Sequence, residues 1–414
     1  MTGENSSLAR IDLDRDTYKA LLNDDNAKVG AMPELVINVS NVISPLCYSV
    51  LKIEPYTTCP HRCVYCYGRW YVRGSDVVAP RRVALAMFER VAKHVYKKGL
   101  RPIPFRLSTL VDPFPPHEEL MGVGERVLLI AKRYEYPLII NTKGSKVVEV
   151  EGLKKTLEGL LDEGLGVLQV SLSTLDDSKS RVLEPAAPPP SRRLLVLKEF
   201  GSRGFPMVVR LSPYIPYYSP TSEEEVEEAL GLLKDMGVKH LIVEALRVER
   251  REAEALVKEL GLPALDFEGY SLREVEGAKP LVRISKELRL RAYEGLQRHA
   301  ARAGIGFATC KEGLFRFHTT DDCCGAYLLR SYALRATLWD LYRAGLDFVG
   351  QRVDASAYLD ACRKFSRVCG EELRFYPKAI SKPMRYHEKR LLRCLGDQVL
   401  LERIAPDLLS NPAS

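Results

Sequence analysis

The chain predicts an α/β fold built on a parallel sheet, and three observations in its 414 residues carry that expectation. From about Cys47 to Val248, short β-branched segments alternate with longer segments of helical periodicity. Strands separated by helices in this way make right-handed βαβ units, which join side by side into a parallel sheet. A thiol-rich loop, Tyr56 to Tyr67, leaves the first strand at its carboxyl end, where such folds carry their chemistry. Composition agrees. Hydrophobic residues at 46% and charged residues at 28% describe an ordinary globular chain, and no apolar run approaches the roughly 20 residues of a membrane span.

Taken in order, Cys47–Ile53 reads as the first strand. Arg81–Lys98 follows as a helix with Val83, Met87, Val91 and Val95 on one face. Next come Ile103–Leu110 (strand), Glu118–Arg133 (helix), Pro137–Thr142 (strand) and Gly152–Glu163 (helix). Gly166–Leu172 is the fourth strand and Ser191–Phe200 its helix, and Pro206–Leu211 is the fifth strand. Ser222–Met236 opens with a capping residue, Thr221 or Ser222, and acidic side chains in its first turn. His240–Ala245 is the sixth strand. Beyond it the signal changes to a mainly helical extension, with helices over Glu252–Leu260, Ser285–Ala303 and Ala326–Tyr342 and a short strand at Phe307–Thr309. The expected organisation is an N-terminal extension over 1–46, a core over 47–248 and a C-terminal extension over 249–414. The length suffices for two or three domains.

The loop places Cys59, Cys63 and Cys66 in the spacing Cys-x3-Cys-x2-Cys. Thiolates are soft ligands for zinc and for iron–sulfur clusters, and closed structural sites of either kind normally take four protein ligands. Three close thiols without an obvious fourth therefore suit a cluster with one iron left open. The alternative is zinc with His61 as fourth ligand, although His61 sits inside the first gap, where its ring would have to fold back on its own neighbours.

This loop, with Tyr65 immediately before the third cysteine, resembles the signature of the radical S-adenosylmethionine (radical SAM) superfamily. The resemblance implies a partial parallel (β/α)6 barrel, a [4Fe-4S] cluster held by Cys59, Cys63 and Cys66, and S-adenosyl-L-methionine on the open iron. Reductive cleavage of that cofactor would give a 5′-deoxyadenosyl radical that abstracts a hydrogen atom, with electrons from a ferredoxin- or flavodoxin-like donor. Within the superfamily the chain is most similar to the spore photoproduct lyase and DNA repair photolyase group. That likeness rests on Asp112-Pro113-Phe114-Pro115-Pro116, Asn141-Thr142-Lys143, Ser171-Leu172-Ser173, Leu183-Glu184-Pro185, Pro190-Ser191-Arg192-Arg193-Leu194 and Ser212-Pro213. By resemblance, Lys143 and Ser171 would bind the methionine carboxylate, with Asp112 and Ser173 near the amine or ribose and Tyr65 beside the cofactor. The chain departs from the group at Thr109, which stands where spore photoproduct lyase has a hydrogen-donating cysteine. A hydroxyl O–H bond is too strong for that task.

Function follows as an enzyme of radical SAM type acting on DNA or RNA, in a lyase-like or modifying reaction. A protein or small-molecule substrate, or a zinc-stabilised nucleic-acid-binding module without catalysis, are the alternatives. Ten cysteines in a long chain fit a reducing cytoplasm better than a disulfide scaffold, and Met1 to Asp24 has no apolar leader. Scarce amides, seven Asn and four Gln, beside abundant charge hint at a thermophilic source. The net charge of +7 permits an anionic partner. Between Arg363 and Arg393 ten Lys/Arg face three Glu, interleaved with aromatic residues, as in a nucleic-acid groove or a merely charged surface. Cys310, Cys323 and Cys324 fall within fifteen residues. They are either a second metal site or buried thiols packed as small hydrophobes.

Overall fold

A computed structural model describes residue 35 and residues 44–70, 77–270, 281–346 and 355–410. The N-terminal extension lies almost wholly outside the described residues, including the stretch Met1 to Asp24. Ten strands are present: β1 (Lys52–Ile53), β2 (Phe105–Leu107), β3 (Leu138–Thr142), β4 (Gly166–Leu172), β5 (Met207–Tyr214), β6 (Val238–Ala245), β7 (Arg247–Glu249), β8 (Phe267–Gly269), β9 (Leu281–Ile284) and β10 (Gly306–Thr309). The sheet runs β1-β2-β3-β4-β5-β6-β10, and every pairing in it is parallel. A small antiparallel sheet, β7-β9-β8, stands beside it.

The six expected strands are all in place, but the sheet has seven. The short strand foreseen at Phe307–Thr309 joins β6 in parallel, so the sheet continues into the segment expected to be an extension. The intervening helix Lys286–Ala303 is the crossover that makes this possible. Its cationic face is only partly solvated, since Arg289 is buried and paired with Glu312 and Glu268.

Helix boundaries follow local chemistry. The first helix, Arg82–Lys97, buries Ala84, Phe88, Val91, Ala92 and Val95, while Val83 is exposed, so its apolar stripe is rotated from the one expected. The helix expected over Glu118–Arg133 is broken in two, Glu118–Met121 and Val123–Arg133, at Gly122 with φ +58°. Ser222 caps Glu223–Asp235 in a capping box with Glu225. Ala326–Tyr342 is not a helix: only Ala326–Leu328 and Leu338–Arg343 wind. Asp322 captures the N–H groups of Cys324, Ala326 and Tyr327, and the extended stretch after them finds its partners elsewhere. Arg330 N–H donates to the Gly164 carbonyl, Ala333 N–H to that of Pro102, and Val368 N–H to that of Leu334. Long-range backbone bonds outweigh helix propensity here.

Strand residues alternate between two cores. Ile140, Leu168, Val170, Val209, Leu241 and Val243 pack on the helices that cover one face. Ile139, Val167, Val208, Ile242 and Ala308 point to the inner face and pack on Leu46, Tyr48, Phe315, Trp339 and Leu391. Each such side chain, fully buried, contributes roughly 1.5–3 kcal/mol. Because Ile139, Val167 and Val208 sit in the first turns of their strands, the C-terminal extension fills the inner face at its amino end. No helix among the described residues is long and apolar enough to cross a membrane.

One disulfide, Cys362–Cys369, closes a short loop in the extension with Cα atoms 6.4 Å apart, and the other eight cysteines are free. Against the expectation that the cysteines suit a reducing setting rather than a disulfide scaffold, this pair is bonded. The two side chains come together because the chain turns back between a helix end and the following 3-10 turn.

Two buried histidines set an acid limit on this packing. Burial holds His240 down to about 3. Burial, reinforced by the charges of Arg335 and Arg390, does the same for His387, whose Nδ1 lies 2.6 Å from Ser44 Oγ. Both stay neutral in the fold while the unfolded imidazole takes a proton near pH 6.5. Their contribution is therefore intact above about pH 6.5 and is lost as the pH falls from there toward 3, on the order of a few kcal/mol in all. Melting temperature should drop across this window, and His387→Gln should reduce the drop; a variant that melts with an unchanged pH slope would contradict the assignment.

Candidate active site

The loops leaving β1, β2 and β3 are drawn together by two buried carboxylates. Glu54, at the end of β1, accepts the backbone N–H groups of Thr109, Leu110 and Val111 at 3.0–3.2 Å and the hydroxyls of Ser108 and Thr109. Thr109 is thereby a pin between two loops, and its carbonyl accepts from the Tyr67 hydroxyl at 2.8 Å. Asp112 accepts from Phe114 N–H, Thr142 Oγ1 and Lys143 N–H at 3.0, 2.8 and 2.6 Å, and His61 Nε2 lies 3.4 Å away. Burial alone would raise its pKa, but His61 and these donors hold it below the usual carboxylate range.

Between these clamps the loop carries its three thiols, all free and partly exposed. Burial pushes the Cys59 thiol up, and pushes Cys63 up to about 12 against the pull of Lys143. A Cβ at Gly68 would meet the Leu110 carbonyl at 2.7 Å and Cys66 Sγ at 3.2 Å, so only glycine lets the loop close behind the third cysteine. His61 Nε2 lies 3.4 Å from Asp112 and Nδ1 lies 3.4 Å from the Ala186 carbonyl, so the ring is turned toward these oxygens. A set of three soft donors with one position left open fits a [4Fe-4S] cluster.

Beside the thiols three of the sequence-selected residues, Tyr65, Lys143 and Ser173, meet around one that sequence reasoning gave no role. Glu184 is fully buried and accepts from the Tyr65 hydroxyl, from Ser173 Oγ at 2.9 Å and from Arg193. Lys143 Nζ stands 3.9 Å from the same carboxylate and 5.6 Å from the Tyr65 ring centroid. Burial would raise the Glu184 pKa, but Lys143 and Arg193 bring it below the ordinary value. Arg193, also fully buried, donates to the Pro188 and Ser171 carbonyls at 2.7 and 3.1 Å. Ser171 Oγ donates to Asn141 Oδ1 at 3.0 Å. Tyr65, Lys143, Ser171 and Ser173 thus form one wall, whereas Asp112 belongs to the clamp on the other side, its acceptor positions taken by protein groups. Glu184 and Arg193 both lie in segments with a visible motif, Leu183-Glu184-Pro185 and Arg192-Arg193, and the proline punctuation was the only local signal for them.

Deeper on the inner face, Arg210, Arg247 and Lys311 all converge on Glu244. Arg106 donates to Gln169 and to Cys324 Sγ at 3.2 Å. Lys311 Nζ stands 5.8 Å from the Tyr67 ring centroid, which ties this cluster to the cysteine loop. Cys310, Cys323 and Cys324 form the floor. Cys323 and Cys324 sulfurs are 3.9 Å apart, and Arg210 reaches Cys310 Sγ at 3.7 Å. The neighbouring Cys323 thiol, with Arg210 near Cys310 and Arg106 near Cys324, lowers the pKa values of Cys310 and Cys324, while Cys323 itself is raised. Among the described residues no three His, Cys, Asp or Glu side chains close on a single metal ion.

The site is thus a parallel α/β sheet whose first strand-end loop carries three free thiols beside a cationic wall. Residues 53–248, a little under half of the chain, match the radical SAM superfamily. An uncharacterised protein of Acidianus two-tailed virus, ORF301, is 27% identical over 205 residues, which is 45% of this chain. The chain spans 64% of that curated relative, less than two thirds of its length. Among solved structures, a cysteine-to-serine variant of spore photoproduct lyase aligns with a TM-score of 0.49 at 15% identity, over 66% of this chain and 80% of that one. A double variant with bound AdoMet and dinucleoside spore photoproduct aligns at 0.48 and 14%, over 63% and 76%. SuiB of Streptococcus suis bound to S-adenosylmethionine aligns at 0.40 and 17%, over 63% and 51%.

The wall makes a stability prediction independent of any cofactor. Glu184→Ala leaves the Arg193 guanidinium buried without its carboxylate and should cost roughly 3–5 kcal/mol in denaturant unfolding. Lys143→Ala leaves that pair intact and should cost less than about 1 kcal/mol, since Lys143 reaches Glu184 only at long range. Equal losses in the two variants would mean that Glu184 is not the buried anchor of the wall.

Proposed function

We propose that this chain is a radical SAM enzyme that acts on a nucleic acid in a lyase-like or modifying reaction. When bound, a [4Fe-4S] cluster with S-adenosyl-L-methionine supplies a 5′-deoxyadenosyl radical for hydrogen abstraction. Cys59, Cys63 and Cys66 are the residues that would hold the cluster. Lys143 and Ser171 supply a cation and a hydroxyl for the cofactor's carboxylate, while Glu184 holds Tyr65, Ser173 and Lys143 in place. Asp112 acts at one remove, fixing the Lys143 backbone. The observation that carries the reading is the open set of three thiols on the β1 loop, at the carboxyl edge of the sheet and beside Lys143.

The charge of the inner face supports an anionic substrate. Arg210, Arg247 and Lys311 share one carboxylate, Glu244, and Arg210 Nη1 is buried without a hydrogen-bond partner. Low-dielectric walls make such surplus charge a strong attractor for phosphate. The reductant would be a ferredoxin- or flavodoxin-like donor, and eight free thiols favour a reducing, cytoplasmic setting.

Anaerobic reconstitution with iron and sulfide, followed by dithionite and S-adenosylmethionine, tests the proposal. Wild-type protein should yield 5′-deoxyadenosine, with more formed when the right DNA or RNA is present. Cys59→Ala, Cys63→Ala and Cys66→Ala should each abolish that yield together with the cluster's absorption. Full activity in any one of them would overturn the cluster assignment. Lys143→Ala should keep the absorption but weaken S-adenosylmethionine binding by about 2–5 kcal/mol, as when one side of a desolvated charge pair is removed.

A further inference from the structure

The helix Lys378–Leu395 is two-faced. Ile380, Met384, His387, Leu391 and Cys394 are buried. On the opposite side Lys378, Lys382, Arg385, Lys389 and Arg393 are all exposed, at successive spacings of four, three, four and four residues. That is a single stripe along the helix, about 22 Å from first to last at 1.5 Å per residue. None of the five has an ion-pair partner among the described residues. Several helical cations elsewhere on the surface are paired with neighbouring carboxylates, as in Lys155–Glu151, Arg291–Glu287 and Arg363–Asp360. The helix's own carboxylate, Glu388, is turned inward, accepting from Gly370 N–H at 2.7 Å and the Tyr358 hydroxyl at 3.1 Å. Like charges at this spacing repel and weaken a helix. Here the stripe is tolerated without compensation.

Two large rings border the stripe. Tyr386 is 54% exposed with the Arg390 guanidinium 4.8 Å from its ring centroid, and Phe375 is 55% exposed with Arg374 at 4.9 Å. Aromatic faces stiffened by arginine and set beside a line of cations suit unstacked bases on a phosphodiester backbone. A membrane surface would also attract the cations, but it would call for aliphatic side chains on the same face, and the stripe has none.

We infer that this helix face is a docking surface for single-stranded nucleic acid, with phosphates on Lys378, Lys382, Arg385, Lys389 and Arg393 and a base on Tyr386. The inference rests on the nucleic-acid reading above and extends it, because the surface is not the reaction site. The helix packs through Leu391, Cys394 and Leu395 into the core at the amino ends of the strands, whereas the thiols lie at the carboxyl ends. Docking here holds a polymer to the enzyme without touching the cofactor wall.

Fluorescence anisotropy with labelled 20-nucleotide strands of DNA and RNA, duplex DNA and phosphatidylserine vesicles tests this on the full chain, without added cofactor. Single strands should bind with log K falling against log salt at about 0.7 per phosphate engaged, a slope near 3.5 for five contacts. The triple variants K382E/R385E/K389E and K382Q/R385Q/K389Q should both flatten that slope by about 2; the neutral set guards against misfolding in the charge-reversed one. Tyr386→Ala should weaken binding about 5- to 150-fold at an unchanged slope. DNA and RNA arms that differ identify which polymer is preferred. An unchanged slope in both triple variants, binding to duplex alone or binding to vesicles alone would overturn the inference. 5′-Deoxyadenosine yield without nucleic acid should be the same in the triple variants as in wild type. Loss of docking with normal cofactor cleavage thus separates this surface from the catalytic reading, which fails only if cleavage itself is absent.

Discussion

The buried pair of Glu184 and Arg193 is the constraint on which the site depends. Two opposite charges taken wholly out of water are costly to bury and are tolerated only when every remaining hydrogen-bonding position is filled. Here Tyr65 and Ser173 donate to Glu184 while the carbonyls of Ser171 and Pro188 accept from Arg193, which ties together the β1 loop, the carboxyl end of β4 and the turn before the helix Pro190–Gly201. Satisfying the pair therefore fixes the spacing of the wall. Lys143 stands at the edge of this group with its side chain 16% exposed.

Two further carboxylates extend the same logic. Glu54 and Asp112 bind backbone N–H groups of the neighbouring loops, and neither has a position to spare. The loop carrying Cys59, Cys63 and Cys66 is thus suspended between buried anions while remaining itself partly exposed. A rigid rim around a reachable centre is the arrangement that a preorganised site needs.

Much of this was legible from residue order. Period-2 and period-3.6 patterns place all six early strands and their helices, because those segments are driven by local burial alone. The thiol spacing and the cluster of Tyr65, Lys143, Ser171 and Ser173 were readable as strand-end polar groups. What escaped was set by distant partners. β10 belongs to the sheet because its strand bonds run to β6, some sixty residues earlier in the chain. Ala326–Tyr342 has helical composition yet stays extended because its N–H groups bond to Gly164 and Pro102. Asp112 was read as a cofactor ligand, but it sits among donors from three loops that no spacing rule brings together. Glu184 sits in a proline-flanked turn that looks ordinary until Arg193 is seen beside it.

The filling of the inner face from below has a consequence for traffic. Leu46, Tyr48, Trp339 and Leu391 close the amino end of the sheet, and the thiols of Cys310, Cys323 and Cys324 form a floor above them. Among the described residues the amino end of the inner face is thus filled by side chains, so a molecule approaching the cysteine loop comes to it from the carboxyl edge of the sheet.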